Sequence, residues 1–359
     1  MAKKKESLMT AVSEEIKSNF NLDKFKEKKL LNSTVKFKEQ KWIPFSKALQ
    51  DSVSIPGAPV GHITLLRGHS NTGKTTALLE LAINAQKMGI LPVFIITEMK
   101  WSWEHAKQMG FQIEDVVDES TGEIIDYKGF FLYTDRSKLG TIEDVAGFIA
   151  DLLDEQKKGN LPYDLCFFWD SIGSIPCKMS VEANKNNPMW NAGAMSQQFR
   201  NFINQRFPLS RKENSQYTNS MVAINKIWVA PAENIMSQPK MKMKNGETMF
   251  LDASIVITFG NITNSGTSKM KATKNAKEVE FAVRTKVAVD KNHVTGLQTK
   301  SIVIATIHGF INEKEINDYK KKHANEWVHI LGSVEDIGLV EDMSEWEESK
   351  ENITLIDEE

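Results

Sequence analysis

The stretch Gly68-His69-Ser70-Asn71-Thr72-Gly73-Lys74-Thr75 satisfies the pattern G-x-x-x-x-G-K-[ST] in full. Few local patterns constrain a fold as tightly, because the loop works only between a strand and a helix. Ile63-Thr64-Leu65-Leu66 before it reads as a buried strand. Thr76 to Lys87 after it, with Leu78, Leu79, Leu81, Ala82 and Ala85, reads as an apolar-faced helix. Glycines let the backbone curl so that its N–H groups face phosphate oxygens, and the helix N-terminus adds about half a positive charge at the same place. Lys74 is then expected to reach the β- and γ-phosphates of a nucleoside triphosphate, Thr75 to hold Mg²⁺ through its hydroxyl, and Thr76 to be available to a phosphate.

The 359 residues suffice for one large α/β core with appendages, and 41% hydrophobic with 26% charged residues is ordinary for a water-soluble chain. No apolar run reaches the length of a membrane helix and no secretory signal is visible, so a cytoplasmic protein without a membrane partner is expected. Cys166 and Cys177 are too few for a disulfide framework. The net charge of −2 hides polarised ends: twelve lysines face six acids from Met1 to Lys47, whereas eleven acids face only Lys350 from Val334 to Glu359. Such a tail is a solvated end, and on a nucleic-acid-binding protein it can compete with phosphates for a basic groove.

Three segments are expected. Residues 1–41 form a lysine-rich arm opening with a helix whose stripe is Leu8, Val12, Ile16 and Phe20. Residues 42–312 form the core, and residues 313–359 form a short helical segment with the acidic tail. In the core, apolar runs at Ile63–Leu66, Val93–Ile96, Leu165–Trp169, Met221–Ile224, Ser254–Phe259, Phe281–Val289 and Ser301–Ile307 alternate with helical patterns and then follow one another. That order indicates an α/β fold with a mostly parallel central sheet and an antiparallel extension. Pro176 to Asn191 and Ala230 to Thr248 read as long irregular loops at the ligand-binding end of the sheet.

Two acids complete the expected chemistry. The strand Leu165-Cys166-Phe167-Phe168-Trp169 ends in Asp170-Ser171, which places Asp170 as the Mg²⁺-side carboxylate beside Thr75. Val93-Phe94-Ile95-Ile96-Thr97 ends in Glu98, where a carboxylate can orient and polarise water.

With these blocks in order, the core resembles the RecA recombinase family, and within it the UvsX-like phage branch. Trp42 to Leu49 followed by Ile55 to Gly61 is similar to that family's lead-in to the phosphate loop. The resemblance implies that Glu98 activates water, that His105 stacks on adenine with Trp103 as an alternative platform, and that Ser102 makes a polar base contact. It implies a first DNA-binding loop with Met189, Trp190, Ser196 and Arg200, where Gly193 replaces a family arginine. It implies a second between Ile227 and Phe250, with Trp228, Lys240, Lys242, Lys244, Asn245 and Gly246. Lys226 stands where the family senses the γ-phosphate with a Gln or His. Lys291 and His293 stand where a pair of lysines reaches the ATP of a neighbouring subunit.

The family reading implies an ATP- and Mg²⁺-dependent DNA-dependent ATPase that assembles a helical filament on single-stranded DNA. It implies pairing with homologous duplex, self-association through the N-terminal helix, and work beside a single-strand-binding protein and a loader in recombination and repair. A phage origin would place it in the host cytoplasm. Two other readings of the same residues stay open: a hexameric DNA helicase motor, and an ATP-gated DNA-binding filament protein with little turnover.

Overall fold

A computed structural model of the chain describes residues 21, 23–24, 36–230, 240–243, 245–262, 269–274 and 277–331. The chain divides into two compact units, Met1–Lys38 and Glu39–Glu359. In the first, the described residues include a turn in which the Lys24 backbone N–H donates to Asn21 Oδ1 at 2.9 Å. The expected arm helix from Ser7 to Phe20 and the acidic tail lie outside the described residues.

The second unit is built on a central sheet. Its strands in chain order are β1 (Ile63–Gly68), β2 (Leu91–Ile96), β3 (Leu132–Asp135), β4 (Leu165–Asp170), β5 (Ser220–Ala230), β6 (Lys240–Met243), β7 (Ile255–Gly260), β8 (Lys269–Lys274), β9 (Lys277–Asn292), β10 (Lys300–Thr306) and β11 (Gly309–Ile311). Across the sheet the order is β11-β10-β9-β7-β1-β5-β4-β2-β3, with β6 paired to β5 and β8 to β9. From β7 to β3 every pairing is parallel, and from β7 outward through β9, β10 and β11 every pairing is antiparallel. The α/β architecture with a mostly parallel sheet and an antiparallel extension is therefore as the sequence indicates.

Each central strand is apolar on both sides because helices cover both faces, as a parallel sheet requires. Alternate residues sort into two cores. Leu66, Phe94, Phe168, Val222 and Ile257 face the layer that contains helix α1 (Lys74–Lys87). Leu65, Ile95, Phe167, Ala223 and Val256 face the layer of helix α2 (Ile142–Lys158). A capping box starts α2, with Thr141 and Asp144 each bonding the other's backbone N–H.

The two expected irregular loops differ from the sequence reading. Residues 178–182 are helical, and Pro188–Met195 form helix α3, started by Asn187, whose side chain accepts from the Met189 N–H at 3.0 Å, and by Pro188 in the first turn. An Asn before a Pro satisfies one orphan helix donor and removes another, so the helix is locally favoured. In the second loop, β6 pairs antiparallel with the outer half of β5, and Thr248–Asp252 is a short helix. The strand β3 was not legible as one: it is four residues long and sits at the sheet edge, after a small antiparallel hairpin of residues 114–117 and 124–128.

A third core, of Met270, Phe281, Ile304, Tyr319 and Trp327 among others, packs helix α4 (Ile316–Leu331) onto the antiparallel extension.

Glu80 of α1 ties three separate segments together. Its carboxylate is buried, accepts from the Ser46 N–H at 3.1 Å through one oxygen and from the Phe310 N–H at 3.1 Å through the other. Burial pushes its pKa upward, and the two N–H donors pull in the opposite direction. Glu80→Ala leaves both donors unpaired and should destabilise the fold by about 2–4 kcal/mol in urea unfolding. Glu80→Gln keeps one amide oxygen as acceptor and should cost clearly less.

Candidate nucleotide site

The phosphate loop leaves the end of β1 under two steric demands that only glycine meets. Gly68 has φ 152°, and a Cβ there would lie 2.0 Å from the Phe259 carbonyl oxygen. Gly73 has φ 87°, and a Cβ there would press on Ala305 and Phe310 of the β10–β11 hairpin. The loop is thereby seated between β7 and that hairpin, and the His69 N–H donates to the Phe259 carbonyl at 3.2 Å. Ser70 and Asn71 are exposed at its tip, with Asn71 in the left-handed region at φ 61°. Thr72 donates to the His69 carbonyl at 2.8 Å, and Lys74 Nζ donates to the same oxygen, so the ammonium lies within the curl of the loop.

Four parallel strands end beside this loop. Residue for residue, Gly68 on β1 pairs with Lys226 on β5, and Ile96 on β2 pairs with Asp170 on β4. Thr75 Oγ1 donates to Asp170 Oδ2 at 3.0 Å. The Glu98 N–H donates to the Asp170 carbonyl at 3.0 Å, and Ser171 Oγ donates to Glu98 Oε2 at 3.4 Å. Lys226 Nζ lies 2.5 Å from Glu98 Oε1 in an ion pair. Lys74, Thr75, Glu98, Asp170 and Lys226 are therefore one constellation.

Its electrostatics follow from burial among alternating charges. Burial raises the Asp170 pKa to about 6, with the Glu98 carboxylate adding to the rise and Thr75, Lys74 and Lys226 opposing it. Burial lowers the Lys74 pKa to about 8; Asp170 and Glu98 hold it up, and Lys226 pushes it further down. His69 is lowered by burial and by the Lys74 charge.

The Thr75 hydroxyl and Asp170 carboxylate present two hard oxygens side by side, the donor set that Mg²⁺ prefers in nucleotide sites. The curled loop N–H groups, the start of α1 and Lys74 suit a polyphosphate. The residues present thus fit Mg²⁺ and a nucleoside triphosphate.

The remaining predicted residues fall into three groups. Among the residues expected to contact the base, Ser102 caps the helix Trp103–Gln108 by accepting from the His105 N–H at 3.2 Å. Trp103 is only 9% exposed and packs against Phe94, Trp101, Phe111, Tyr127, Phe131 and Tyr133, so its ring serves the core. His105 is partly buried, and its Nε2 has no hydrogen-bond partner.

In the two loops, Met189 is 82% exposed on α3, whereas Trp190 is half-buried against the α2-side core. Ser196 begins a π-helical turn that runs to Ile203. The side chains of Arg200 and Lys240, and residue Lys244, lie outside the described residues, as does the tip 231–239. Trp228 and Lys242 face each other across the β5–β6 pairing, and both are exposed. Asn245 is a turn residue at φ 59° whose side-chain amide donates to the Ile172 and Ile175 carbonyls at 2.9 and 3.0 Å. A Cβ on Gly246 would lie 2.9 Å from Ala192 of α3. The close of the second loop is thus packed on the first, a contact that sequence spacing gave no means of finding.

Lys291 is not part of this chain's constellation. It pairs with Val256, which pairs with Leu65, three residues before Gly68, and its ammonium donates to the Phe250 and Leu251 carbonyls at 3.0 and 2.6 Å. Burial lowers its pKa. His293 is exposed, and its backbone N–H donates to the Ser254 carbonyl at 2.9 Å.

With this geometry in view, comparison with known proteins points one way. The sequence is similar to RecA. It is 37% identical over 71 residues to protein RecA of Aquifex aeolicus, covering 20% of this chain and 21% of that protein. It is 31% identical over 118 residues to RecA of Clavibacter michiganensis subsp. michiganensis, covering 32% and 33%. It is 26% identical over 119 residues to RecA of Pseudomonas fluorescens, covering 32% and 34%. The chain spans about a third or less of the length of these curated relatives, and no family model matches it. The α/β core with its mixed, mostly parallel sheet is compatible with a RecA-like fold.

The Asp170 environment makes a stability prediction. Its folded pKa of about 6 lies above the ordinary value of 3.8, so the folded state holds this proton more tightly than the unfolded state does. The stability from that proton is complete below about pH 4 and is lost as pH rises through about 6. Without nucleotide, Asp170→Asn should therefore stabilise the protein at pH 8 by about 1–3 kcal/mol, with the gain shrinking at pH 5. Urea midpoints at the two pH values measure this. A destabilised variant at pH 8 would show that the charged form of Asp170 is the better folded one.

Proposed function

We propose that the chain is an ATP-dependent DNA recombinase of the RecA type, which assembles on single-stranded DNA, hydrolyses ATP and promotes pairing with homologous duplex. One observation carries this reading: a single strand joins the nucleotide end to the loop end. On β5, Lys226 pairs with Gly68 and bonds Glu98, and the next residues, Ile227 to Ala230, form the stem of the hairpin that presents Trp228 and Lys242. A change at the phosphate end is transmitted along one backbone to a surface with a cation and an indole. Those are the groups that hold a single strand's phosphates and stack its bases.

Lys74 and the loop N–H groups would hold the phosphates, and Thr75 with Asp170 would hold Mg²⁺. Bound Mg²⁺–ATP supplies the phosphoryl group to be transferred and a cation that offsets its charge. Glu98 would position and deprotonate the attacking water. The ion pair with Lys226 fixes that carboxylate and sets its orientation. Met189 on α3 and the second hairpin would contact DNA together, since Gly246 packs on Ala192. Lys291 and His293 would serve the ATP of an adjacent subunit, consistent with the place of Lys291 away from its own chain's phosphate loop. Contacts of these kinds do not read base sequence, so little sequence preference follows. The finer assignment to the UvsX-like phage branch, with work in a host cytoplasm beside a single-strand-binding protein and a loader, rests on the sequence blocks alone.

ATPase measured with and without single-stranded DNA, with the same samples imaged by negative stain, tests the reading. Strong stimulation with helical filaments is expected. Rings would favour a helicase motor, and filaments without turnover an ATP-gated binding protein. Glu98→Gln should bind ATP and DNA yet hydrolyse about 10²–10⁴-fold more slowly. Normal hydrolysis by Glu98→Gln would falsify the water-activating role. Lys74→Ala and Lys291→Ala should each be inactive alone, and mixing them should restore part of the turnover if Lys291 acts in trans.

A further inference from the structure

Away from the nucleotide constellation, two histidines and a glutamate converge where α4 meets the β10–β11 turn. His308 sits in that turn. Its backbone is fixed by Thr306 Oγ1, which accepts from the His308 N–H at 3.1 Å and donates to the Gly309 carbonyl at 2.8 Å. His323 and Glu326 stand three residues apart on α4, a spacing that puts both on one helix face. The ligand atoms of all three lie within 4.8 Å of one another. Glu326 Oε1 is 2.7 Å from His323 Nδ1 and 3.5 Å from His308 Nε2; the two imidazoles stack with centroids 3.9 Å apart, so to share one ion with His308 the His323 ring must tilt out of the stack.

The geometry points to a site for a borderline divalent transition metal, of which Zn²⁺ is the type, held by His308, His323 and Glu326. Zn²⁺ binds imidazole nitrogen at about 2.0–2.1 Å and carboxylate oxygen at about 2.0–2.2 Å. In a tetrahedron those bonds set neighbouring ligand atoms about 3.3 Å apart, a value that the 2.7 and 3.5 Å separations bracket. The ring orientation is already set on one side, because His308 Nδ1 bonds the buried Tyr319 hydroxyl at 2.9 Å and its Nε2 is thereby turned toward Glu326. Metal-bound histidines characteristically have the second ring nitrogen held in this way. Two nitrogen donors with one oxygen donor suit Zn²⁺ and disfavour Mg²⁺, which takes oxygen ligands. Glu326 is exposed, so solvent can supply the fourth position.

A metal here would join α4 to the turn of the hairpin against which Gly73 of the phosphate loop packs. It would therefore staple the small third core to the nucleotide-binding end.

The test uses the full-length protein, stripped with chelator, returned to chelator-free buffer and titrated with ZnCl₂ in the absence of nucleotide. The wild type should retain one zinc per chain after gel filtration in excess Mg²⁺, and its melting temperature should rise with zinc and fall back with chelator. His308→Ala and His323→Ala should each lose at least nine-tenths of the bound zinc, and Glu326→Gln should weaken binding at least tenfold. Circular dichroism confirms that each variant is folded, and Glu326→Gln, the most conservative, carries the test if the others are not. A wild type that retains no zinc overturns the site, as does zinc retention unchanged in folded variants.

Discussion

The register of four adjacent parallel strands is the constraint on which the rest of the site depends. β1, β5, β4 and β2 lie side by side and end at one edge of the sheet, delivering Lys74, Lys226, Asp170 and Glu98 to a common volume. In a parallel sheet a slip of one residue on any of these strands would exchange its two faces and turn its terminal side chain away. Burial on both faces prevents that slip. Leu65 and Leu66, or Phe167 and Phe168, each have a different core to enter, so the apolar layers enforce the alignment that the chemistry needs.

The four charged groups at that edge balance, two ammoniums against two carboxylates. Two of them are perturbed by their neighbours as well as by loss of water, with Asp170 drawn up to about 6 and Lys74 down to about 8. A balanced group of charges in a partly dehydrated place is poised toward ligands that bring charge of both signs, because the internal pairs can be exchanged for ligand contacts at little net cost. The Glu98–Lys226 pair is of particular interest here, since one member is the proposed water-activating carboxylate and the other immediately precedes the part of β5 that pairs with β6.

Outside the site, structural roles have absorbed several residues that the family resemblance marks for ligand contact. Trp103 fills an aromatic core, Asn245 fastens one loop to the segment after Asp170, and Trp190 is half-buried against the α2 layer. An indole or an amide has one set of surfaces to use, and packing or backbone hydrogen bonds claim them first wherever water is excluded. Met189, Trp228 and Lys242, by contrast, keep exposed surface on neighbouring parts of the loop region.

Local features are legible before the chain folds: the phosphate loop with its strand and helix, the apolar runs of the central strands, and the acids that end two of them. These are legible because backbone conformation at glycine, strand period and helix period are set by residues a few positions apart. Short or capped elements were harder. β3 has four residues, and the Asn187–Pro188 start of α3 lay inside a polar stretch that reads as loop. Which distant side chains meet is a property of the folded chain. Glu98 and Lys226 are 128 residues apart, His308 joins His323 and Glu326 across a turn and a helix, and Lys291 lies level with Leu65 and apart from its own phosphate loop. Strand order and register fix those meetings. Both arise from burial summed over the whole sheet, which no short window of sequence contains.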